Sequence, residues 1–257
     1  MNSGRDDDGG GLVISGLTKS FRGVRAVNDL TVTISPSRIT GLIGPNGAGK
    51  STVFKLIGGV LRPDQGNVSW QGRQISGLHA THVARLGIGL SFQELRLFES
   101  MSTADNLRTA AEGGLLDSIG TRKRRVDERV DEVASLCHLE GVLGEKAGSL
   151  SYAEQKFLSL GRVLIRKSSL LLLDEPASGL DNASLESFQS ILRSVVASGR
   201  TICLIEHNFG LVSAIADYVL FLEAGRLRAQ GSPKDIAGDR DLATIYLGKA
   251  ALPEETR

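Results

Sequence analysis

The chain has 257 residues, with 30 basic and 29 acidic side chains and a formal net charge of +1. This length allows one large domain or two lobes, and the balanced charge argues against a nucleic-acid partner, which usually selects a basic surface. No apolar run approaches the roughly 18 residues of a membrane span, so we expect a soluble chain. If the chain works at a membrane, another subunit must supply the spans.

The first eleven residues are polar and rich in glycine, with three consecutive aspartates at 6–8. Such a composition predicts a disordered lead over residues 1–11. From residue 12 onward, alternating apolar side chains predict strands at 12–17 and 29–35 and a hairpin at 67–75. Together these strands would form a small antiparallel sheet.

Residues 44–52 have the pattern G-x-x-x-x-G-K-[ST] of a phosphate-binding loop. A short apolar strand at 39–43 precedes the loop, and apolar residues at helical spacing from Val53 to Val60 follow it. Glycines without Cβ and a helix N-terminus let backbone N–H groups surround a triphosphate. The pattern predicts that Lys50 reaches the β and γ phosphates and that the Ser51 hydroxyl binds Mg²⁺. The candidate ATP contacts in this loop are Asn46, Gly47, Ala48, Gly49, Lys50, Ser51 and Thr52.

Between residues 94 and 149 the pattern changes to helices, at 103–112 and 122–139, separated by a loop at 113–120. On the second helix, Val126, Val130, Val133 and Cys137 recur on one face. This stretch is a candidate helical lobe.

After residue 150, strand and helix patterns alternate. Strands are predicted at 170–173, 201–205, 218–222 and 226–229, and helices at 184–197, 209–216 and from 231–233 to about 247. This alternation predicts an α/β fold with a mainly parallel sheet. The predicted domains are a nucleotide-binding core (12–93 and 150–248) with the antiparallel β subdomain, an inserted helical subdomain (94–149) and a C-terminal tail (249–257).

Two carboxylates, Asp174 and Glu175, follow the apolar strand at 170–173. A side chain there lies at the crevice where open α/β sheets bind ligands. Asp174 is expected to bind Mg²⁺, directly or through water, and Glu175 to polarise an attacking water. The alternative interpretation is a pair of acids that begins a surface loop.

In this order, the motifs resemble those of the ATP-binding subunit of an ABC transporter, from residue 12 to about 248. The resemblance implies that Phe21 stacks on adenine with Val27 as a second contact. It also implies that Gln93 is the Q-loop glutamine at the metal and the attacking water, and that His207 senses the γ-phosphate. Residues 178–181, which end at Asp181, match the D-loop beside the nucleotide. Taken singly, Phe21, Gln93 and His207 could be ordinary core, surface or capping residues.

The signature motif of the family, usually L-S-G-G-Q, reads Leu150-Ser151-Tyr152-Ala153-Glu154-Gln155 here. The resemblance implies that Ser151 contacts ATP held by a partner subunit. Ser151 and Glu154 also have the spacing of a capping box, which predicts a helix start with its own affinity for anions. We therefore expect a modified but working signature.

The resemblance implies an ATPase that binds ATP and Mg²⁺ and powers transport. Its implied partners are integral membrane permease subunits, a second ATPase subunit of the same or a homologous chain, and a solute-binding protein that acts through the permease. Its implied location is peripheral, at the cytoplasmic side of the inner membrane. We predict permease docking through the apolar side chains after Gln93, namely Leu95, Leu97 and Phe98, which could alternatively pack within the helical lobe.

Residues 92–98, 204–207 and 245–248 are similar to the branch that serves importers of branched-chain amino acids or similar small polar solutes. ATPases of lipopolysaccharide exporters share the last of these stretches, so a lipid or lipopolysaccharide exporter is the first alternative. A non-transport ABC ATPase is the second. Such proteins usually carry two ATPase units or a long coiled-coil insertion, and neither pattern is present in the sequence.

Overall fold

The computed structural model describes residues 10–111, 119–239 and 242. Within these residues the strands are β1 (Leu12–Phe21), β2 (Val24–Ile34), β3 (Ile39–Ile43), β4 (Gln65–Trp70), β5 (Arg73–Gln74), β6 (Ile88–Leu90), β7 (Leu170–Asp174), β8 (Thr201–Ile205), β9 (Tyr218–Glu223) and β10 (Arg226–Gly231). The helices are α1 (Lys50–Ile57), α2 (Ala80–Arg85), α3 (Thr103–Ala111), α4 (Ile119–Leu136), α5 (Tyr152–Leu164), α6 (Asn182–Ala197), α7 (Phe209–Ile215) and α8 (Pro233–Gly238). None of these described helices combines the length and apolar character that a membrane crossing requires.

The chain forms two compact units. The first contains the described residues up to 80 and from 203 onward, and the second contains those from 81 to 202. These limits differ from the predicted helical subdomain at 94–149, because the second unit also contains β6, β7 and α6. The domain boundaries predicted from the sequence therefore remain a proposal.

The first unit contains the predicted antiparallel sheet, in the order β2-β1-β4-β5. The hairpin between β4 and β5 turns at Gln71 and Gly72. Both residues have positive φ, as the two central residues of a type I′ turn require. The same unit holds β10, β9 and β3 in that order, with β3 and β9 parallel, and residues 203–205 of β8, the next strand of the sheet. All five residues of β3 are buried, so this strand fixes the start of the phosphate-binding loop within a core.

In the second unit, β6 and β7 pair in parallel. Helix α4 of the predicted lobe buries the apolar face that the sequence pattern predicted. Val126, Val130, Val133 and Cys137 are all buried. The short elements α2 and β6 are too brief to show a hydrophobic period, and the sequence did not predict them. Parallel and antiparallel strands with covering helices confirm the predicted α/β class.

Both cysteines, Cys137 and Cys203, are free and buried. Burial raises the pKa of the Cys137 thiol to about 12 and raises that of Cys203 as well. Both thiols are therefore protonated and unreactive at neutral pH.

Helices α1 and α4 end before their predicted C-terminal ends, and the predicted last helix is interrupted, because the backbone at these places becomes left-handed or extended. Helix α1 ends at Ile57, because Gly59 adopts φ 69° and the N–H groups of Val60 and Leu61 close onto the Lys55 carbonyl. Helix α4 ends at Leu136 because His138 has φ 56°. Helix α8 ends at Gly238, since Asp239 is extended, so the predicted last helix is interrupted there. Leu242 is helical again, and residues 240, 241 and 243–247 lie outside the described residues, so the predicted end near 247 stays a prediction.

Two predicted segments are described only in part. Of the predicted disordered lead, Gly11 is buried and its carbonyl accepts the Gln71 N–H at 3.1 Å, so ordered backbone begins before Leu12. Residues 1–9 lie outside the described part of the chain, as does the predicted tail at 249–257. In the predicted loop at 113–120, α4 already begins at Ile119, while 113–118 lie outside that part.

Candidate functional site

The predicted phosphate-binding loop connects β3 to α1, and its lysine is the first residue of that helix. Lys50 is buried, and its Nζ donates to the carbonyls of Gly44 (2.6 Å) and Pro45 (3.0 Å). The ammonium is therefore held over the loop, where a charge would face phosphate oxygens. Gly49 caps the helix with φ 99°, and a Cβ there would lie 2.1 Å from the Ala26 carbonyl oxygen. Only glycine fits this position, which is the cradle that a polyphosphate needs.

A hairpin turn that the sequence prediction missed supports this loop. The N–H of Gly225 donates to the Ala48 carbonyl at 3.1 Å, and the Gly225 carbonyl accepts the Asn28 N–H at 2.9 Å. Gly225 lies with Ala224 between β9 and β10, and both residues have positive φ. The sequence signal for this turn is the dipeptide Ala224-Gly225, which contains glycine and lies between two predicted strands.

The predicted adenine contacts have different exposures. Phe21 is 43% exposed at the end of β1, as an aromatic platform for a base must be. Val27 is 0% exposed on β2, and its predicted contact with the base remains a proposal. Val24 pairs with Phe21 across the hairpin and is 70% exposed. Val24 is therefore the apolar side chain placed beside the Phe21 ring.

His207 lies two residues after β8, which neighbours β3 in the sheet order. Its side chain is exposed, and the next residue, Asn208, caps α7 by accepting the Leu211 N–H at 3.1 Å. The cap fixes the backbone that follows His207 and keeps this side chain at the end of the strand.

In the second unit, the carboxylates Asp174 and Glu175 stand at the end of β7. Gln93 Nε2 donates to Glu175 Oε2 at 2.9 Å, although the two residues are 82 positions apart. The Asp174 N–H donates to Ser91 Oγ at 3.0 Å, so the segment that carries Gln93 is also tied to the strand end. Glu175 has φ 48°, a left-handed conformation that is uncommon for a residue with a side chain.

The signature segment begins α5 with the predicted capping box. The Ser151 side chain accepts the Glu154 N–H, and Glu154 Oε2 accepts from the Ser151 N–H (2.8 Å) and hydroxyl (2.7 Å). The Glu154 carboxylate therefore turns back onto its own helix. Ser151 itself is exposed at the helix N-terminus.

Asp181 has a local structural role at the start of α6. Its carboxylate accepts the Ser184 N–H at 2.8 Å as the helix N-cap. Hydrogen bonding to Ser184 holds the pKa of the Asp181 carboxyl below its usual range. Its predicted role at a nucleotide remains a proposal.

The predicted residues fall into two groups. The first unit holds Phe21, the loop residues Asn46 to Thr52, and His207. The second unit holds Gln93, Ser151, Asp174, Glu175 and Asp181, of which Gln93 and Glu175 are in direct contact.

Taken one by one, the predicted metal ligands have chemistry that suits Mg²⁺. The Ser51 hydroxyl, the Asp174 carboxylate and the Gln93 amide are oxygen ligands, which this hard cation prefers. Among the described residues no three His, Cys, Asp or Glu side chains cluster as a metal cage. Mg²⁺ that is held mainly by phosphates and water needs no such cage.

Comparison with known proteins agrees with this geometry. Residues 27–178 match the family model described as ABC transporter. LivG of Escherichia coli (strain K12), a high-affinity branched-chain amino acid transport ATP-binding protein, is 33% identical over 251 residues, which cover 93% of this chain and 98% of LivG. LptB of Acidithiobacillus ferridurans, a lipopolysaccharide export system ATP-binding protein, is 33% identical over 237 residues, which cover 92% of this chain and 96% of LptB.

A solved structure gives the same result for the fold. The ADP conformation of MJ1267, an ATP-binding cassette of an ABC transporter, superposes with a TM-score of 0.82 over 93% of this chain and 99% of that chain, at 24% identity. Because the family model covers more than half of the chain and the relatives cover nearly all of it, this protein belongs to the ABC transporter family, as a nucleotide-binding ATPase subunit.

Proposed function

We propose that this ATPase powers the uptake of branched-chain amino acids or similar small polar solutes. The support is the 33% identity to LivG over 93% of the chain. LptB has the same identity over a similar length, so export of a lipid or lipopolysaccharide is the second candidate. The two candidates share one ATPase chemistry and differ in the membrane partner.

The contact between Gln93 and Glu175 carries the proposed hydrolysis mechanism. A carboxylate that accepts a hydrogen bond from a water molecule orients and polarises it for attack on the γ-phosphorus. Gln93 donates to one oxygen of that carboxylate and thereby fixes its orientation. The water oxygen bonds to the γ-phosphorus while the bond from that phosphorus to the β–γ bridging oxygen breaks. ADP keeps the bridging oxygen, inorganic phosphate keeps the oxygen of the water, and the released proton passes to solvent.

The other roles follow from charge and exposure. Lys50 and the N–H groups of the loop bind the phosphates, and Phe21 and Val24 hold the base. His207 contacts the γ-phosphate, and Asp181 lies beside the nucleotide. Ser51, Asp174 and Gln93 are the residues that would hold Mg²⁺, and the ion would neutralise charge on the phosphates. Ser151, at the N-terminus of α5, contacts ATP held by a second ATPase subunit, either the same chain or a homologue.

Two substitutions test this mechanism in the purified chain. Lys50→Ala should abolish tight ATP binding, because it removes the charge that faces the β and γ phosphates. Glu175→Gln should keep binding and lose turnover by about 10²-fold or more, the usual range for a lost general base. ATP affinity and phosphate release measure the two effects, with Glu186→Gln on the exposed side of α6 as the matched control. Wild-type turnover in Glu175→Gln would remove Glu175 from the mechanism.

The choice between the two transport candidates depends on the permease. We expect membrane proteins that copurify with this chain to support ATP-dependent uptake of radiolabelled leucine into vesicles. ATP-driven release of lipopolysaccharide from the same vesicles, without leucine uptake, would select the second candidate. We propose that the permease binds at the cytoplasmic side of the inner membrane and receives solute from a solute-binding protein.

A further inference from the structure

The backbone that carries Glu175 has a conformation that needs outside support. Glu175 adopts φ 48°, and such non-glycine residues persist only where the surrounding structure holds them. The segment from Glu175 to Gly179 turns here between β7 and α6, and Ser178 N–H donates to the Glu175 carbonyl at a long 3.4 Å. We call residues 175–179 the catalytic segment.

Two side chains of α5 donate to carbonyls of the catalytic segment. Lys156 Nζ donates to the Glu175 carbonyl at 3.3 Å, and Tyr152 Oη donates to the Ser178 carbonyl at 3.1 Å. The two residues are four positions apart, so they share one face of the helix. Lys156 Nζ also lies 5.6 Å from the centre of the Tyr152 ring, a cation–π distance. The helix therefore contacts both ends of the catalytic segment.

The Tyr152 ring also packs directly against the backbone of the catalytic segment. A Cβ added to Gly179 would lie 2.8 Å from Tyr152 Cε1 and 3.1 Å from its Oη. Lys156 is buried, so its hydrogen bond is shielded from water and is stronger than an exposed one. A glycine at position 152, as in the usual signature pattern, could make neither contact.

We propose that Tyr152 and Lys156 are positioning residues that hold the catalytic segment, and with it Glu175, in the geometry for hydrolysis. This inference rests on the proposed role of Glu175. The tyrosine that replaces the usual signature glycine at residue 152 would therefore act within its own chain, by connecting the start of α5 to the segment that carries the catalytic carboxylate.

Three substitutions in the full chain test the proposal. Tyr152→Phe keeps the ring and removes the hydroxyl, Lys156→Met keeps the aliphatic stem and removes the donor, and Lys156→Arg restores a donor. The matched controls are Tyr218→Phe on β9 and Lys234→Met on α8. The measurements are kcat and KM for ATP, the melting temperature, and amide hydrogen exchange of peptides that contain the catalytic segment.

We expect Tyr152→Phe and Lys156→Met each to lower kcat by about three- to tenfold, the effect of one lost hydrogen bond. KM for ATP should change less than about twofold, because the substituted groups position Glu175 and not the nucleotide. Exchange in the catalytic segment should become faster, and Lys156→Arg should recover most of kcat. The controls should match the wild type in all measurements.

Unchanged exchange in both variants would overturn the proposal, because the contacts would then not hold the catalytic segment. Faster exchange with unchanged kcat would overturn the positioning role. Exchange is measured without hydrolysis, so a failure of the Glu175 assignment, seen as wild-type turnover in Glu175→Gln, remains distinguishable from a failure of this inference.

Discussion

At the scale of single residues, the side chains that fit in the phosphate-binding loop depend on how closely the neighbouring backbone approaches each position. The Ala26 carbonyl faces the position of a Gly49 Cβ at 2.1 Å, whereas nothing lies within 4 Å of the corresponding position at Gly47. Both glycines have positive φ. A substitution at Gly47 therefore measures only the free-energy cost of a left-handed backbone, whereas one at Gly49 adds the cost of overlap between the new Cβ and the Ala26 carbonyl.

We predict that Gly49→Ala lowers the free energy of unfolding by about 2 to 6 kcal/mol, since backbone strain and overpacking add. Gly47→Ala should cost only about 1 to 2 kcal/mol, the strain alone. Urea denaturation of the two variants measures the difference. Equal losses would mean that the backbone near Ala26 moves away without cost.

At the scale of elements, two helix starts combine capping with a proposed functional role. In α5 the Glu154 carboxylate binds back to Ser151, and the Ser151 N–H and hydroxyl that donate to it partly offset its negative charge. A carboxylate within about 4 Å of a triphosphate would repel it by about 1 to 4 kcal/mol. Glu154→Gln keeps the cap and removes the charge, so it measures this repulsion.

We predict that Ser151→Arg severely reduces ATPase activity of the assembled transporter, because a long side chain blocks the helix N-terminus. Ser151→Ala is the matched variant: it should lose about 1 kcal/mol of stability with the cap but leave the approach open. Glu154→Gln should change turnover by less than tenfold, since glutamine also fits a capping box. A tenfold change in Glu154→Gln would show that the carboxylate faces the nucleotide.

Helix α6 supplies a pH-dependent prediction through its cap Asp181. Hydrogen bonds to Ser184 lower the folded-state pKa, so the stabilisation is fully present above the unfolded value of about 3.9 and is lost as the pH falls through the lower folded value. We expect Asp181→Ala to melt below the wild type at pH 7, with the gap shrinking below about pH 4. Asp131→Ala on α4 is the control and should produce no comparable gap. A difference in melting temperature that stays constant with pH would show that the charge of Asp181 does not contribute to the cap.

At the scale of the whole molecule, the exposed Phe98 of the second unit belongs to the stretch that we propose as the permease-docking site. Phe98 is 49% exposed, while its backbone is held by the buried Asn106, which accepts from the Phe98 N–H at 2.9 Å and donates to its carbonyl at 3.0 Å. Arg162 lies 5.0 Å from the ring centre. The Phe98 ring is therefore presented at the surface by a rigid backbone.

We predict that Phe98→Ser weakens recruitment of the chain to permease-containing membranes and leaves ATP affinity unchanged. Cosedimentation with such membranes measures recruitment, and Val60→Ser, which changes a residue that is 47% exposed in the first unit, is the control. Loss of recruitment and ATP binding together would assign Phe98 to the core instead.

The sequence by itself determined the features that neighbouring residues encode. The strand, loop and helix around Lys50, the turn at Gln71 and Gly72, and the capping box of Ser151 and Glu154 depend on contacts a few positions apart. The alternation of strand and helix patterns along the chain also predicted the α/β class. The order of the motifs along the chain identified the family before any contact was known.

The tertiary structure alone decided which residues meet across long stretches of chain and which are buried. The contacts of Gln93 with Glu175, of Gly225 with Ala48, and of Tyr152 with Ser178 join residues 26 to 177 positions apart. The burial of Val27 is one example, because strand alternation gives two faces and only packing shows which of them is covered. Local patterns do not contain this information, since burial and long-range hydrogen bonds depend on how the elements pack against one another.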